Sequence, residues 1–72
     1  MADTNVPSEL NANVWKIEVK LGDQVAEEDT LIILESMKME IPVVAPKAGT
    51  VKSIAVNEGD AVTEGQVLVV LA

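Results

Sequence analysis

The chain is 72 residues long, with twelve acidic residues, five basic ones, no histidine and no cysteine, and its formal net charge is −7. That length holds one small core, and the missing residue types exclude a disulfide framework, a thiol nucleophile, a zinc-finger pattern and every histidine-dependent triad. All the basic residues are lysines, and the acidic excess opposes binding to phosphate backbones and anionic lipid surfaces, so neither nucleic acid nor membrane is an expected partner.

Residues 1–7 are short, mostly polar and end in Pro7, which predicts a loose N-terminal tail ahead of a domain over residues 8–72. From Val14 an alternating strand leads to a Gly22-Asp23 turn, a short apolar step at Val25, a polar turn, and a second strand through Leu31–Leu34. Glycine supplies positive φ and aspartate bonds its own backbone, so Gly-Asp is a turn with a mechanism. Trp15 is the lone aromatic, and twelve valines, five isoleucines and four threonines favour pleated, half-buried surfaces over helix. The predicted class is therefore all-β, with a core of densely packed aliphatic side chains and no metal or disulfide to staple it.

The stretch from Glu35 to Glu40, Glu-Ser-Met-Lys-Met-Glu, is near-palindromic about Lys38 and lies between the apolar runs Leu31–Leu34 and Ile41–Val44. Glu, Met and Lys are good helix formers, and Ile33, Met37 and Ile41 share a helical face. Pro42 restricts that helix to about two turns, which is marginal in water. The alternative pairs Leu31–Ser36 with Met39–Val44 and centres a hairpin turn on Met37-Lys38, where a tight turn prefers Asn-Gly or Asp-Gly. Two long side chains at positive φ cost about 1 kcal/mol or more each. A chain that is locally consistent elsewhere and inconsistent at one turn marks that turn as a candidate functional site. A lysine on a turn is ordinarily just solvated, and methionines ordinarily fill core. A hairpin tip, however, has little core for Met37 and Met39 to fill.

Ala45-Pro46-Lys47-Ala48-Gly49 reads as an ordinary turn, and from Val51 the first unit returns. Sliding Val14–Glu35 forward by 37 positions lays it over Val51–Ala72, with identities that include Val14/Val51, Gly22/Gly59, Asp23/Asp60, Val25/Val62, Leu31/Leu68 and Leu34/Leu71. Two copies of a unit that cannot bury its apolar face alone pack on each other about a pseudo-two-fold axis, giving two small antiparallel sheets in a flattened barrel or sandwich. The longest apolar run, Val67–Ala72, is far short of the roughly 20 residues of a membrane span, and no signal peptide is recognisable, so a soluble cytoplasmic chain is expected.

Glu35-Ser36-Met37-Lys38-Met39-Glu40, followed by Ile41-Pro42-Val43 and then Ala45-Pro46-Lys47-Ala48-Gly49-Thr50-Val51, closely resembles the attachment motif of the biotinyl/lipoyl family. The resemblance runs from about residue 8 to the end, with Met-Lys-Met midway between two repeats as in that family, and is nearest to its small stand-alone bacterial members. It implies a flattened barrel of two four-stranded antiparallel sheets that is monomeric and carries no catalytic residue and no metal. It implies that Lys38 takes biotin as an amide from a biotin protein ligase. Met37 and Met39 match the flanking residues by which such a ligase distinguishes biotinyl from lipoyl targets, and Glu35 and Glu40 match less stringently. A carrier of this kind is not itself an enzyme: it takes carboxylate from a biotin carboxylase to a carboxyltransferase acting on an acyl-CoA or a keto acid. Lipoate, or both groups, is the alternative cargo, and an unmodified adaptor module is the alternative from another class. The chain departs from the family pattern at Asn11-Ala12-Asn13, where many members have a Gly turn, and at Glu28, where a glycine is common. It also lacks the protruding insertion that some carriers have between Val25 and Leu31.

Overall fold

Alternating burial along the chain resolves into eight strands in the computed structural model, which describes residues 3–72. They are β1 (Thr4–Pro7), β2 (Ala12–Ile17), β3 (Gln24–Val25), β4 (Thr30–Ser36), β5 (Met39–Val44), β6 (Gly49–Ile54), β7 (Ala61–Val62) and β8 (Val67–Leu71). Every pairing is antiparallel, and the strands form two four-stranded sheets in the orders β1-β8-β6-β3 and β5-β4-β2-β7. This is the all-β flattened barrel expected from the repeat and from the resemblance.

The 37-residue shift is written into the backbone. It carries β1, β2, β3 and β4 onto β5, β6, β7 and β8, and it turns the order of the first sheet into that of the second. The copies do not form one sheet each. β8 and β6 of the second copy are flanked by β1 and β3 of the first, so the copies interleave and neither has a complete sheet without the other. The turns stitch the exchange together. Gly22 N donates to Val51 O at 2.9 Å and Val51 N donates to Asp23 O at 2.8 Å; the equivalent Gly59 N to Val14 O and Val14 N to Asp60 O bonds are both 2.8 Å. Both glycines have positive φ, and Asp23 and Asp60 each accept from the backbone N–H three residues earlier at 2.9 Å, as the Gly-Asp pattern requires.

The core is aliphatic and symmetric. Leu31, Ile32 and Leu34 on β4 and their equivalents Leu68, Val69 and Leu71 on β8 are fully buried, with Val14 and Val51 between the sheets. Each such side chain contributes roughly 1.5–3 kcal/mol of transfer free energy. Trp15 is outside this core. β2 slips register between Val14 and Lys16, which makes Trp15 the extra residue of a bulge, and β6 slips at the equivalent place around Lys52.

The loose tail expected over residues 1–7 is corrected for Thr4–Pro7, which form the edge strand β1 on β8 with Val6 buried in the core; Met1 and Ala2 lie outside the described residues. The reason is long-range. β1 is the symmetry mate of β5 and edges its own sheet as β5 edges the other, but of the pairs between Thr4–Pro7 and Ile41–Val44 only Val6/Val43 is identical. Pro7 and Pro42 sit on these two outer strands, where a missing N–H is tolerated, and the opposite edges are two-residue strands too short to recruit another chain.

Candidate functional site

β4 and β5 form a hairpin with direct pairs Leu34–Ile41, Glu35–Glu40 and Ser36–Met39. β2 supports β4 only as far as the pair Asn13–Glu35, so Ser36, Met39 and the turn between them project beyond the sheet. The turn has two residues, Met37 at φ 52° and Lys38 at φ 64°, both left-handed. That conformation matches the right-handed twist of the strands it joins. It costs about 1–2 kcal/mol for each residue bearing a Cβ, and Asn-Gly would remove much of that cost. The hairpin is the expected one, and the helical alternative is not adopted.

Met37 is 91% exposed and Met39 64%, so neither fills core. Lys38 is exposed and, among the described residues, has no carboxylate within ion-pair distance; the ion pairs present join Lys16 to Glu18 and Lys52 to Asp3. Glu35 and Glu40 stand directly opposite each other at the base of the tip, a like-charge pair that strand pairing alone disfavours. The geometry thus brings Glu35, Met37, Lys38, Met39 and Glu40 to one protruding end. It offers a primary amine on a short projecting hairpin, flanked by two exposed thioethers and two carboxylates.

Beside the tip lies a shallow recess of about 370 Å³, lined by Asn11, Asn13, Glu35, Ser36, Lys38 and Ala61 among others. Its far wall comes from the second copy, through the pairing of Asn13 in β2 with Ala61 in β7. The asparagines stood out in the sequence only as a departure from a pattern, because nothing local signals that Ala61 lies beside Asn13. A more apolar groove of about 230 Å³ runs between the edge strands β1 and β5 and includes no residue of the turn. Among the described residues no cluster of three or more His, Cys, Asp or Glu is placed to hold a metal, and no helix is long and apolar enough to cross a membrane.

A fold of two interleaved four-strand units with a lysine at the tip of their central hairpin defines a class of cofactor-attachment domain. The family model described as "Biotin-requiring enzyme" matches residues 5–71, and the chain belongs to this biotin/lipoyl attachment family. The chain is 49% identical over 67 residues to the biotin/lipoyl attachment protein of Bacillus subtilis (strain 168), covering 93% of this chain and 92% of that protein. It is 41% identical over 71 residues to the biotin carboxyl carrier protein of Streptococcus mutans, covering 99% of this chain and 55% of that one. The crystal structure of Kluyveromyces lactis urea carboxylase contains a region that superposes with a TM-score of 0.94 at 35% identity, covering all of this chain and 6% of that enzyme.

Proposed function

We propose that this chain is a biotin carboxyl carrier in which Lys38 bears the cofactor. The observation that carries the proposal is the Met37-Lys38 turn, where both residues hold a left-handed conformation with exposed side chains that do nothing for the core. Glu28 is left-handed too, but its N–H donates to Ala45 O in a turn between strands; two such residues together at an exposed, projecting tip with no packing return support a site retained for use.

The tip fits biotin. Attachment needs an amine that is free of ion pairs and reachable by a ligase, and Lys38 is both among the described residues. A biotin protein ligase joins Lys38 Nζ to an adenylate-activated biotin carboxyl group. The C–N bond forms, the bond to AMP breaks and the amine gives up a proton. Met37 and Met39 supply the two exposed apolar contacts by which that ligase selects the lysine, and Glu35 and Glu40 set the charge of the surface it meets. Once attached, biotin supplies the ureido nitrogen that accepts and releases carboxylate. The chain contributes placement: the hairpin holds Lys38 clear of the barrel, so a biotin carboxylase and a carboxyltransferase can in turn receive the arm. No acid, base or metal is required of the domain.

The net charge of −7 suits encounter with a basic patch on such partners, and association that persists unchanged in high salt would remove that contribution. Lipoate is the second reading, favoured by the name of the Bacillus subtilis relative, biotin/lipoyl attachment protein. Intact-mass measurement of the protein from its native cell separates the two. One biotinyl adduct supports the proposal, one lipoyl adduct replaces it with the second reading, and an unmodified chain refutes both.

A further inference from the structure

We infer that the recess beside the tip is a resting site for the cyclic urea of biotin carried on Lys38, with Asn13 and Glu35 as its polar contacts; this rests on the biotin reading above. Lys38 lines the recess together with Asn11, Asn13, Glu35 and Ser36, so the attachment point and the polar groups share one depression. Asn13 and Glu35 are direct cross-strand partners in β2 and β4, which sets their side chains on one face of the sheet, about 5 Å apart at Cβ.

Their chemistry complements a cyclic urea. The ring presents two N–H donors and one carbonyl acceptor. A carboxylate at Glu35 accepts from N–H, and the carboxamide of Asn13 can donate to the carbonyl while its own oxygen accepts. Asn11 has a structural duty, since its Oδ1 accepts from Glu64 N at 2.8 Å. The Asn13 side chain has none: among the described residues it makes no hydrogen bond, and asparagine is disfavoured in strands.

The pseudo-two-fold supplies an internal control. The 37-residue shift takes Asn11, Asn13 and Glu35 to Ala48, Thr50 and Ala72 at the opposite pole. If strand pairing or turn geometry demanded a carboxamide at this place, residue 50 would need one too, and it is a threonine paired with Gln24 in the same backbone setting. The Asn13 and Glu35 pair is replaced there by Thr50 and Ala72, with the Gln24 side chain on the strand beyond, so the carboxamide beside a carboxylate is found at the pole that bears Lys38. A tether of one lysine side chain and the biotin chain holds the ring at high local concentration, so shallow and solvent-open contacts suffice to populate the docked state while leaving it easy to displace by a partner.

The experiment uses the full chain biotinylated by a ligase, with the adduct verified by mass. It reads the exchange rate of the biotin ureido N–H protons and the amide spectrum of loaded against unloaded protein. Docking slows ureido exchange about five-fold relative to free biotinyl-lysine, the scale expected of one or two modest net hydrogen bonds, and shifts the Asn13 side-chain NH₂ and the Ala61 amide. Asn13→Thr, which installs the residue tolerated at the equivalent position 50, restores the free rate, whereas Thr50→Ala leaves the slowing intact. Free-rate exchange with no shift at Asn13 overturns the inference and leaves the biotin reading standing. Slowing that survives Asn13→Thr overturns the assignment to Asn13. A chain that takes no adduct overturns both.

Discussion

The two poles of this barrel are built by the same unit and end differently. At one, β4 runs on through Ser36 into the Met37-Lys38 turn; at the other, β8 stops at Leu71 and Ala72 bonds back to Thr50, its N–H donating to Thr50 O at 2.8 Å. Between the poles the equivalent core positions are nearly interchangeable, with Leu31, Ile32 and Leu34 answering Leu68, Val69 and Leu71, all fully buried. At the poles they are not, since Asn11, Asn13 and Glu35 answer Ala48, Thr50 and Ala72. The symmetric residues hold the fold; of the asymmetric ones, Asn11 accepts from Glu64 N, while Asn13 and Glu35 stand beside the lysine.

Substitutions test that division. Lys38→Arg keeps the charge and the turn but offers the ligase no lysine amine, so biotin incorporation falls to background by streptavidin gel shift while the thermal midpoint stays within a few degrees. Retained incorporation would move the function off the tip. Leu34→Ala and Leu71→Ala each remove a fully buried side chain and are expected to cost about 2–5 kcal/mol in urea unfolding, within about 1 kcal/mol of each other. A much larger gap would show that the halves are not energetically equivalent.

A finer test lies in the turns before β4 and β8. Glu28 at φ 74° and Gly65 at φ 87° are equivalents, and their N–H groups donate to Ala45 O and Ser8 O, both at 2.8 Å. Glu28→Gly should stabilise by about 1 kcal/mol, and Gly65→Ala should destabilise by a similar amount, both read from urea midpoints. The smallest effect is at the tip. Met37→Asn should raise stability by about 0.5–1 kcal/mol, because asparagine accepts the left-handed conformation, and should slow biotin incorporation in a ligase time course. Faster incorporation would remove the case for Met37 as a recognition contact.

Much of this was legible in the sequence because both its signals are periodic. The 37-residue shift exposes the repeat, and the mismatch between Met37-Lys38 and good turn chemistry exposes the tip; the structure gives that mismatch its backbone form as two left-handed residues. What escaped depends on contacts between distant segments. β1 shares almost no identity with β5 and is defined by its pairing with β8. Gly49 looks like a turn residue, yet a Cβ there would lie 2.9 Å from Ala72 O, a crowding only the closed sheet creates. The recess beside Lys38 needs β7 of the second copy next to β2 of the first, which no local pattern announces.

Of the five lysines, Lys38 alone stands on a projecting left-handed turn, and the proposed function places the cofactor there and nowhere else. Peptide mapping by tandem mass spectrometry of the full chain, after incubation with a biotin protein ligase, ATP and biotin, tests it most directly. Biotin is expected on Lys38 and on none of Lys16, Lys20, Lys47 and Lys52. Biotin on any of those four with Lys38 unmodified, or no adduct at all, would contradict the claim.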